Sequence, residues 1–220
     1  MQRNLLEDFA MLMRLMRVLA GLTFLAVLSG QAGAQNAANP ATDPRLKTAI
    51  FAGGCFWCME HPFDELEGVT SVTAGYTGGT KKTPTYEEVS AGITGHAEAV
   101  QVIFDPAKVS YQKLVDVFWR NVDPLTANAQ FCDHGSQYRS AIFYVDDEQK
   151  NVAEASKQLL SKRFDKPIVT QIVQAGPFWP AEGYHQHYYR TNPVKYKFYR
   201  YNCGRDQRLE QLWGKPSNPS

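Results

Sequence analysis

From residue 47 onward, the spacing of apolar positions divides the chain into short segments of two kinds. Residues 98–104 alternate apolar side chains with an outward-facing Gln101, which predicts a β-strand. Four further runs are short and rich in β-branched and aromatic residues, and they predict strands over 47–52, 69–76, 141–145 and 168–173. The chain therefore contains at least five predicted strands, separated by longer segments of a different period.

The segments between the strands have helical spacing and recognisable caps. Ser110 is a suitable N-cap for a helix that runs to about residue 121, and Asp146 for one that runs to about residue 164. Residues 55–66 predict a helix in which Pro62 must lie in the first turns or produce a kink. Two shorter helices are predicted over 85–90 and 205–213.

Strands that alternate with helices predict an α+β fold, with a mixed β-sheet and flanking helices in two layers. We expect a ferredoxin-like core and an irregular C-terminal tail. The long segment 121–135 has no periodicity, and such loops often carry function. The expected divisions are a signal peptide (1–34), a flexible lead-in (35–46), the main domain (47–205) and a C-terminal helical tail (206–220).

The first 34 residues have the layout of a secretory signal peptide. Arg14 and Arg17 precede an apolar run over 18–28, and the small residues 32–34 follow it. This apolar run is too short for a typical transmembrane helix, although an uncleaved anchor is an alternative. We therefore expect export to a bacterial periplasm.

Charge and composition exclude some classes of partner. The chain is 44% hydrophobic and 20% charged, and its 23 basic and 22 acidic residues give a net charge of +1. No basic block is present, so a nucleic-acid partner has no electrostatic support. We expect a monomer that does not associate with membranes once the signal peptide is removed.

Four cysteines, at positions 55, 58, 132 and 203, carry the candidate chemistry. In an exported chain an even number favours two disulfides, which can be paired in three ways. Cys55 and Cys58 form a CxxC, which also suits a redox pair or half of a zinc site. Cys55 follows a strand and two glycines at the start of a predicted helix, where the helix dipole lowers the pKa of a thiol. A nucleophilic Cys55 is therefore the third interpretation.

Several motifs resemble, in their order, the A-type peptide methionine sulfoxide reductases. They are GCFW at 54–57, GYTGG at 75–79, PTYEEV at 84–89, GHAE at 95–98, DHGSQYRS at 133–140, AEGYHQ at 181–186 and YNCG at 201–204. The resemblance implies thiol-dependent reduction of methionine S-sulfoxide, free or in oxidised proteins, through a cysteine sulfenic acid and an intramolecular disulfide. It also implies a thioredoxin-like reductant, and neither a metal nor an organic cofactor.

The resemblance assigns roles to individual residues. Cys55 is expected to attack the sulfoxide sulfur, and Glu98 to protonate the oxygen, which is a poor leaving group until it carries a proton. The other matches are expected to bind the substrate, with Phe56 and Trp57 at its methyl group, Tyr86 and Tyr138 at its oxygen, and Asp133 in the active site. His185 and His187 are assigned to packing or hydrogen bonding.

Three cysteines can resolve the sulfenic acid that the first step leaves on Cys55. The resemblance places Cys203 first, Cys58 second and Cys132 third. The tail after Cys203 departs from the glycine-rich tail of the family, because it has the pattern of an amphipathic helix. Two other functions stay open: a disulfide isomerase or oxidase that uses Cys55 and Cys58, and an exported binding domain held by two disulfides.

Overall fold

The computed structural model describes residues 43–215. The predicted signal peptide and most of the predicted lead-in lie outside these residues. In the described part of the chain, no helix is long and apolar enough to cross a membrane.

The described residues contain eight strands. Their bounds are Lys47–Gly53 (β1), Val69–Thr77 (β2), Ala97–Phe104 (β3), Ala129–Gln130 (β4), Asp133–His134 (β5), Ser140–Tyr144 (β6), Gln171–Gln174 (β7) and Trp179–Pro180 (β8). Six strands form one sheet in the order β7-β6-β1-β3-β2-β8, and β4 pairs with β5 in a separate hairpin.

The helices occupy the connections and the C-terminal part. Their bounds are Phe56–Asp64 (α1), Tyr86–Ser90 (α2), Tyr111–Arg120 (α3), Asp147–Ser161 (α4), Tyr188–Thr191 (α5), Pro193–Asn202 (α6) and Arg205–Trp213 (α7). Two short 3₁₀ turns cover Ser136–Tyr138 and Gly183–His185. The predicted caps are confirmed: Ser110 accepts a hydrogen bond from the backbone of Lys113, and Asp146 accepts one from that of Gln149.

The topology confirms the α+β fold with a ferredoxin-like core. Strand β1 is antiparallel to both of its neighbours, β3 and β6, and β3 is antiparallel to β2. Helix α1 connects β1 to β2 and α3 follows β3, so two βαβ units interleave in one sheet, as in the ferredoxin-like motif. Strand β7 is parallel to β6, which makes the sheet mixed.

Apolar side chains cover both faces of β1, which explains its nearly continuous apolar sequence. Ala49 and Phe51 belong to the main core, where the ring of Phe51 stacks on Phe63 of α1 at 5.0 Å and on Phe118 of α3 at 5.3 Å. Ile50 and Ala52 belong to a second cluster on the opposite face. Strand β1 is therefore held on both sides where it leads into residue 55.

Two predicted elements have different bounds from those expected. The predicted strand over 168–173 begins only at Gln171, because Ile168 is buried and the backbone N–H of Val169 bonds to the carbonyl of Pro124 instead of to the sheet. Pro62 lies near the end of α1, not in its first turns.

The C-terminal segment expected to be irregular contains two helices that were not predicted, α5 and α6, and the helix predicted over 205–213 is confirmed as α7. Helices α5, α6 and α7 occupy it, and their aromatic residues Tyr189, Tyr196 and Trp213 are each only 8% exposed. The Trp213 indole N–H donates to the carbonyl of Val122 at 3.1 Å. Burial of these rings fixes the segment, and α7, which starts at the predicted domain end, packs on the core.

Candidate active site

Cys55 lies between strand β1 and helix α1, as the sequence predicts. It is the N-cap of α1 and only 7% exposed. Gly54 before it has a φ of +82°, and a Cβ atom there would lie 2.6 Å from the Cβ of Gln130. Only glycine fits this turn, so the Gly-Cys sequence fixes where the sulfur sits.

The thiols of Cys55 and Cys58 form a hydrogen-bonded buried pair. Both are free, and Cys58 is 1% exposed in the first turn of α1. The pKa of Cys55 is raised, mainly by burial and secondly by the hydrogen bond to Cys58. The pKa of Cys58 is lowered, mainly by the hydrogen bond from Cys55 and then by the positive charges of Arg205 and Arg200. The two thiols are therefore unequal, since Cys58 ionises more readily than Cys55.

The expectation that the helix terminus lowers the pKa of Cys55 is wrong for this state. The helix dipole acts within its first turn and is worth at most about 2 kcal/mol, whereas a fully buried thiolate faces a larger desolvation cost. The carboxyl of Glu98 adds a like charge that also raises the pKa of Cys55.

Glu98 reaches the same point from the middle of the sheet. It lies on β3, is 2% exposed, and accepts a 3.0 Å hydrogen bond from the backbone N–H of Phe56 through Oε2. Burial raises the pKa of Glu98 to about 8, although the Phe56 hydrogen bond opposes the shift. A carboxyl that keeps its proton at neutral pH thus lies beside Cys55.

Aromatic rings surround the two cysteines. Phe56 is 1% exposed, and its ring lies 5.0 Å from that of His185. Trp57 stacks on Tyr188 at 3.8 Å and donates from its indole to Nδ1 of His185 at 3.1 Å. His185 is itself buried, so its predicted packing and hydrogen-bonding role is confirmed. His187 likewise uses its backbone N–H to bond to Oε1 of Glu60.

Tyr86, Tyr138 and Asp133 converge on the same site from three elements. Burial raises the pKa of both tyrosines, that of Tyr86 to about 12, and the charge of Glu98 is the next cause in each case. Burial also raises the pKa of Asp133, whose Oδ2 accepts a hydrogen bond from the hydroxyl of Tyr199. All the residues expected at the site are therefore near one another.

The other two cysteines, Cys132 and Cys203, form a disulfide at the edge of the site. Cys132 is exposed and Cys203 partly so, and 71 residues separate them. Cys203 is thus bonded to Cys132 and not to Cys55, and Cys58 is the cysteine beside Cys55. The order predicted for the resolving cysteines, with Cys203 first, stays a prediction.

Several residues that shape the site are given no role by the sequence motifs. Glu182 joins two elements, since its carboxylate accepts from the Tyr76 hydroxyl at 2.8 Å and from the backbone N–H of Tyr86 at 2.9 Å. Tyr199 and Arg205 lie in the segment predicted to be irregular or at its end. Only the long-range folding of the C-terminal helices brings them to the cysteines.

A surface groove of about 1120 Å³ lies elsewhere in the described part of the chain. It lies between α1, α3 and α4, and residues such as His61, Arg120 and Trp213 line it. None of the residues named at the site lines this groove. The candidate site, whose cysteines are buried, is therefore separate from this groove.

Comparison with known protein families identifies the chain. The sequence model of the family "Peptide methionine sulfoxide reductase" matches residues 47–217. The chain belongs to this family. The match extends past residue 205 and includes the whole of α7, so the predicted division at 205/206 cuts through a matched region.

Relatives and solved structures agree with this family. The peptide methionine sulfoxide reductase MsrA of Bacillus velezensis is 55% identical over 77% of this chain and 97% of its own length. That of Bacillus subtilis is 54% identical over the same shares. The methionine sulfoxide reductase A structure from Corynebacterium diphtheriae is 33% identical, with a TM-score of 0.64 over 70% of this chain and 78% of that one. The structure of reduced Mxr1 from Saccharomyces cerevisiae is 32% identical, with a TM-score of 0.66 over 69% and 89%.

The protein is thus a peptide-methionine (S)-S-oxide reductase that reduces methionine sulfoxide in a thiol-dependent reaction. This result overturns the two alternative functions, the disulfide isomerase and the binding domain. The free thiols of Cys55 and Cys58 also contradict a framework of two structural disulfides.

The prediction of export to a bacterial periplasm is wrong. The similar reductases from Bacillus velezensis and Streptococcus agalactiae match over 97% and 99% of their own length but over only 77% and 76% of this chain, and these matches do not support export. Residues 1–34 suggested export because an apolar run follows two arginines. Such a pattern depends on composition alone and says nothing about the domain that follows.

Proposed function

We propose that Cys55, Glu98 and Cys58 carry out the reduction of methionine sulfoxide, with Cys55 as the nucleophile. The observation that carries the proposal is the contact between three elements at one point: the backbone N–H beside Cys55 donates to the carboxyl of Glu98, and Cys55 donates to Cys58. The nucleophile Cys55 therefore lies next to a proton donor, Glu98, and a proton acceptor, Cys58.

In the first step, Cys55 passes its proton to the Cys58 thiolate and its sulfur attacks the sulfoxide sulfur. The sulfoxide oxygen takes the proton of Glu98. The hydroxyl group then moves from the substrate sulfur to the sulfur of Cys55, as the bond between the two sulfurs and the S–O bond of the substrate break, and Cys55 is left as a sulfenic acid. Methionine leaves. General acid catalysis of this kind contributes about 10²–10⁴-fold to a rate, provided that the acid holds its proton at the working pH. A pKa of about 8 meets that condition for Glu98.

In the second step, the sulfur of Cys58 attacks the sulfenic acid on Cys55. A disulfide forms between Cys55 and Cys58, and the oxygen leaves as water with the proton from Cys58. We place Cys58 before Cys203 as the resolving cysteine because Cys58 already contacts Cys55, whereas the sulfur of Cys203 is bonded to Cys132.

The surrounding side chains support binding of the substrate. Phe56 and Trp57 provide an apolar wall for the methyl group, which contributes about 1–3 kcal/mol of discrimination. The hydroxyl groups of Tyr86 and Tyr138 stay protonated at neutral pH and can donate to the sulfoxide oxygen. Asp133, held by Tyr199, orients the polar side of the site.

We propose a thioredoxin-like dithiol as the reductant that regenerates the thiols, and a monomer as the working form. The dithiol supplies the two electrons that the Cys55–Cys58 disulfide requires. All the residues of the site come from one chain, which supports a monomer.

The test is a single-turnover assay without reductant on a blocked methionine, with the S and R sulfoxides measured separately. We expect the wild-type protein to form one methionine per chain from the S epimer. Cys55→Ser is expected to form none, a loss of at least ~10³-fold, because a serine hydroxyl does not replace the cysteine sulfur as the nucleophile. Cys132→Ser serves as the matched control, since it removes a cysteine outside the reacting pair and opens only the surface disulfide. Product formation by Cys55→Ser would refute the assignment.

A further inference from the structure

Arg205 is the largest of the fully buried side chains, at 1% exposed. It starts helix α7 and follows Gly204, which has a φ of +66°. Its Nη2 donates to the carbonyl of Gly53 at 3.1 Å and to that of Asn121 at 2.7 Å. The guanidinium therefore reaches from the C-terminal helix to the turn before Cys55.

The guanidinium also contacts both pairs of cysteines through their neighbours. Its Nη2 lies 3.1 Å from Sδ of Met59, the residue after Cys58. Its carbon lies 4.4 Å from the ring centroid of Phe131, the residue before Cys132. Arg205 is thus next to the reacting pair on one side and to the surface disulfide on the other.

This buried cation has no carboxylate partner within the described residues. Its donors meet carbonyl oxygens and a thioether, and its Nε has no hydrogen-bond partner. A buried charge without a counter-charge is costly, by several kcal/mol. Arg200, the other cation near Cys58, differs in this respect, because its guanidinium is paired with the carboxylate of Asp206.

Two groups near Arg205 can supply the missing negative charge: Asp133 and Cys58. The carboxyl of Asp133 already has the Tyr199 hydroxyl as a donor, and burial raises its pKa. Cys58 has the Cys55 thiol and the guanidinium of Arg200 as donors, and its pKa is lowered, not raised. Other titratable groups near Cys58 either affect its pKa or have their own pKa affected by it. They are Cys55, Glu98, Tyr196, Tyr199 and Arg200.

We propose that Arg205 is a positioning residue that holds Cys58 as a thiolate and so makes it the proton acceptor for Cys55 and the resolving nucleophile. The inference rests on the proposed function of Cys55 and Cys58. In the resolving step, Cys58 gives up the proton that it took from Cys55, its thiolate forms the bond to the sulfur of the Cys55 sulfenic acid, the S–O bond breaks, and the hydroxide leaves as water with that proton. The positive charge of Arg205 is balanced before that step by the thiolate.

The first test measures the ionisation of Cys58 alone, by thiolate absorbance at 240 nm. In Cys55→Ser with the Cys132–Cys203 disulfide intact, Cys58 is the only free thiol among the four cysteines, and Cys55→Ser/Cys58→Ser supplies the baseline. We expect the midpoint for Cys58 to lie clearly below ~8.5, the usual value for a free cysteine. A midpoint at or above that value overturns the inference without any change to Arg205.

The second test changes the charge in the same background. Arg205→Gln removes the charge but keeps an amide donor for the carbonyl of Gly53, and we expect it to raise the midpoint by about 1–3 units, the usual effect of one nearby charge. Arg205→Lys should restore most of the difference. Arg208→Gln is the matched control on the same helix, because Arg208 is paired with Asp123. An Arg205→Gln midpoint equal to that of the parent overturns the inference.

The third test separates this inference from the proposed function. Arg205→Gln with Cys55 present is given one equivalent of S-sulfoxide without reductant, and the sulfenic acid is trapped with dimedone. At a pH below the midpoint measured for Cys58, we expect one methionine per chain and a sulfenic acid that persists at least ~10-fold longer than in wild type, since there a pKa higher by one unit leaves about a tenth of the thiolate. Absence of methionine in the wild-type protein contradicts the proposed function. Methionine with an unchanged lifetime of the sulfenic acid contradicts the role of Arg205.

Discussion

The two pairs of cysteines in this reductase show how different surroundings separate identical side chains. Cys55 and Cys58 lie three residues apart, buried at the start of α1, and remain thiols. Cys132 and Cys203 lie 71 residues apart near the surface and form a disulfide. The buried pair has Glu98 and Arg205 as neighbours, whereas the surface pair has a carboxylate and solvent.

The comparison shows that reactivity depends on the charges around a thiol more than on its place on a helix. The dipole of α1 acts on both Cys55 and Cys58, yet their pKa values shift in opposite directions. The positive charges of Arg200 on α6 and Arg205 on α7 lower the pKa of Cys58, and the carboxyl of Glu98 on β3 raises that of Cys55. The pair is therefore asymmetric before any substrate binds.

Replacement of Glu98 gives the largest expected effect on the buried pair. Glu98→Gln keeps the size of the side chain and an acceptor for the Phe56 N–H, but it cannot donate a proton as an acid. We expect the single-turnover rate of methionine formation at pH 7 to fall by about 10²–10³-fold. Quenched-flow measurement of methionine checks this value. An unchanged rate would mean that another group protonates the oxygen.

Loss of the surface disulfide should act on stability, with little effect on the chemistry. Cys132→Ser and Cys203→Ser each remove a covalent link across 71 residues, and we expect either variant to lose about 2–4 kcal/mol in free energy of unfolding. Urea denaturation measures this loss, and equal values for the two variants identify the link as the cause. We expect the first turnover to change by less than ~3-fold. Abolition of that turnover would place the surface pair in the reaction.

A smaller effect is the pH dependence of the free energy of unfolding that comes from Glu98, beside the buried pair. The pKa of Glu98 is raised from 4.5 to about 8 on folding, so the folded state holds a proton that the unfolded state has lost. The stability that this proton gives is complete below pH 4.5 and is lost as the pH rises through about 8. Relative to Glu98→Gln, the wild-type protein should therefore lose about 1–2 kcal/mol between pH 6 and pH 7.5. Parallel pH profiles of the two proteins would show that Glu98 is ionised in the folded state.

Local patterns were sufficient to predict the elements that carry the catalytic residues. The apolar run of β1, the two glycines and the following helix place Cys55 at a helix start, and the alternation of β3 places Glu98 on a strand. The caps at Ser110 and Asp146 are equally local, since each hydroxyl or carboxylate bonds three residues onward.

The parts that sequence could not predict depend on long-range contacts. No pattern links Arg205 to the carbonyl of Gly53, which lies 152 residues away in the sequence. The pairing of Cys132 with Cys203 likewise depends on where α6 ends relative to β5. The direction of the pKa shift of Cys55 was missed for the same reason, because burial and Glu98 come from the tertiary fold.

The most direct measurement is the disulfide map after one equivalent of methionine S-sulfoxide, without reductant, in the wild-type protein. Alkylation of free thiols followed by peptide mass analysis identifies every bond. The account predicts a new Cys55–Cys58 bond, an unchanged Cys132–Cys203 bond, and a dimedone-reactive Cys55 in Cys58→Ser. A bond from Cys55 to Cys203 or Cys132 would contradict the central claim that the buried pair alone completes the reaction.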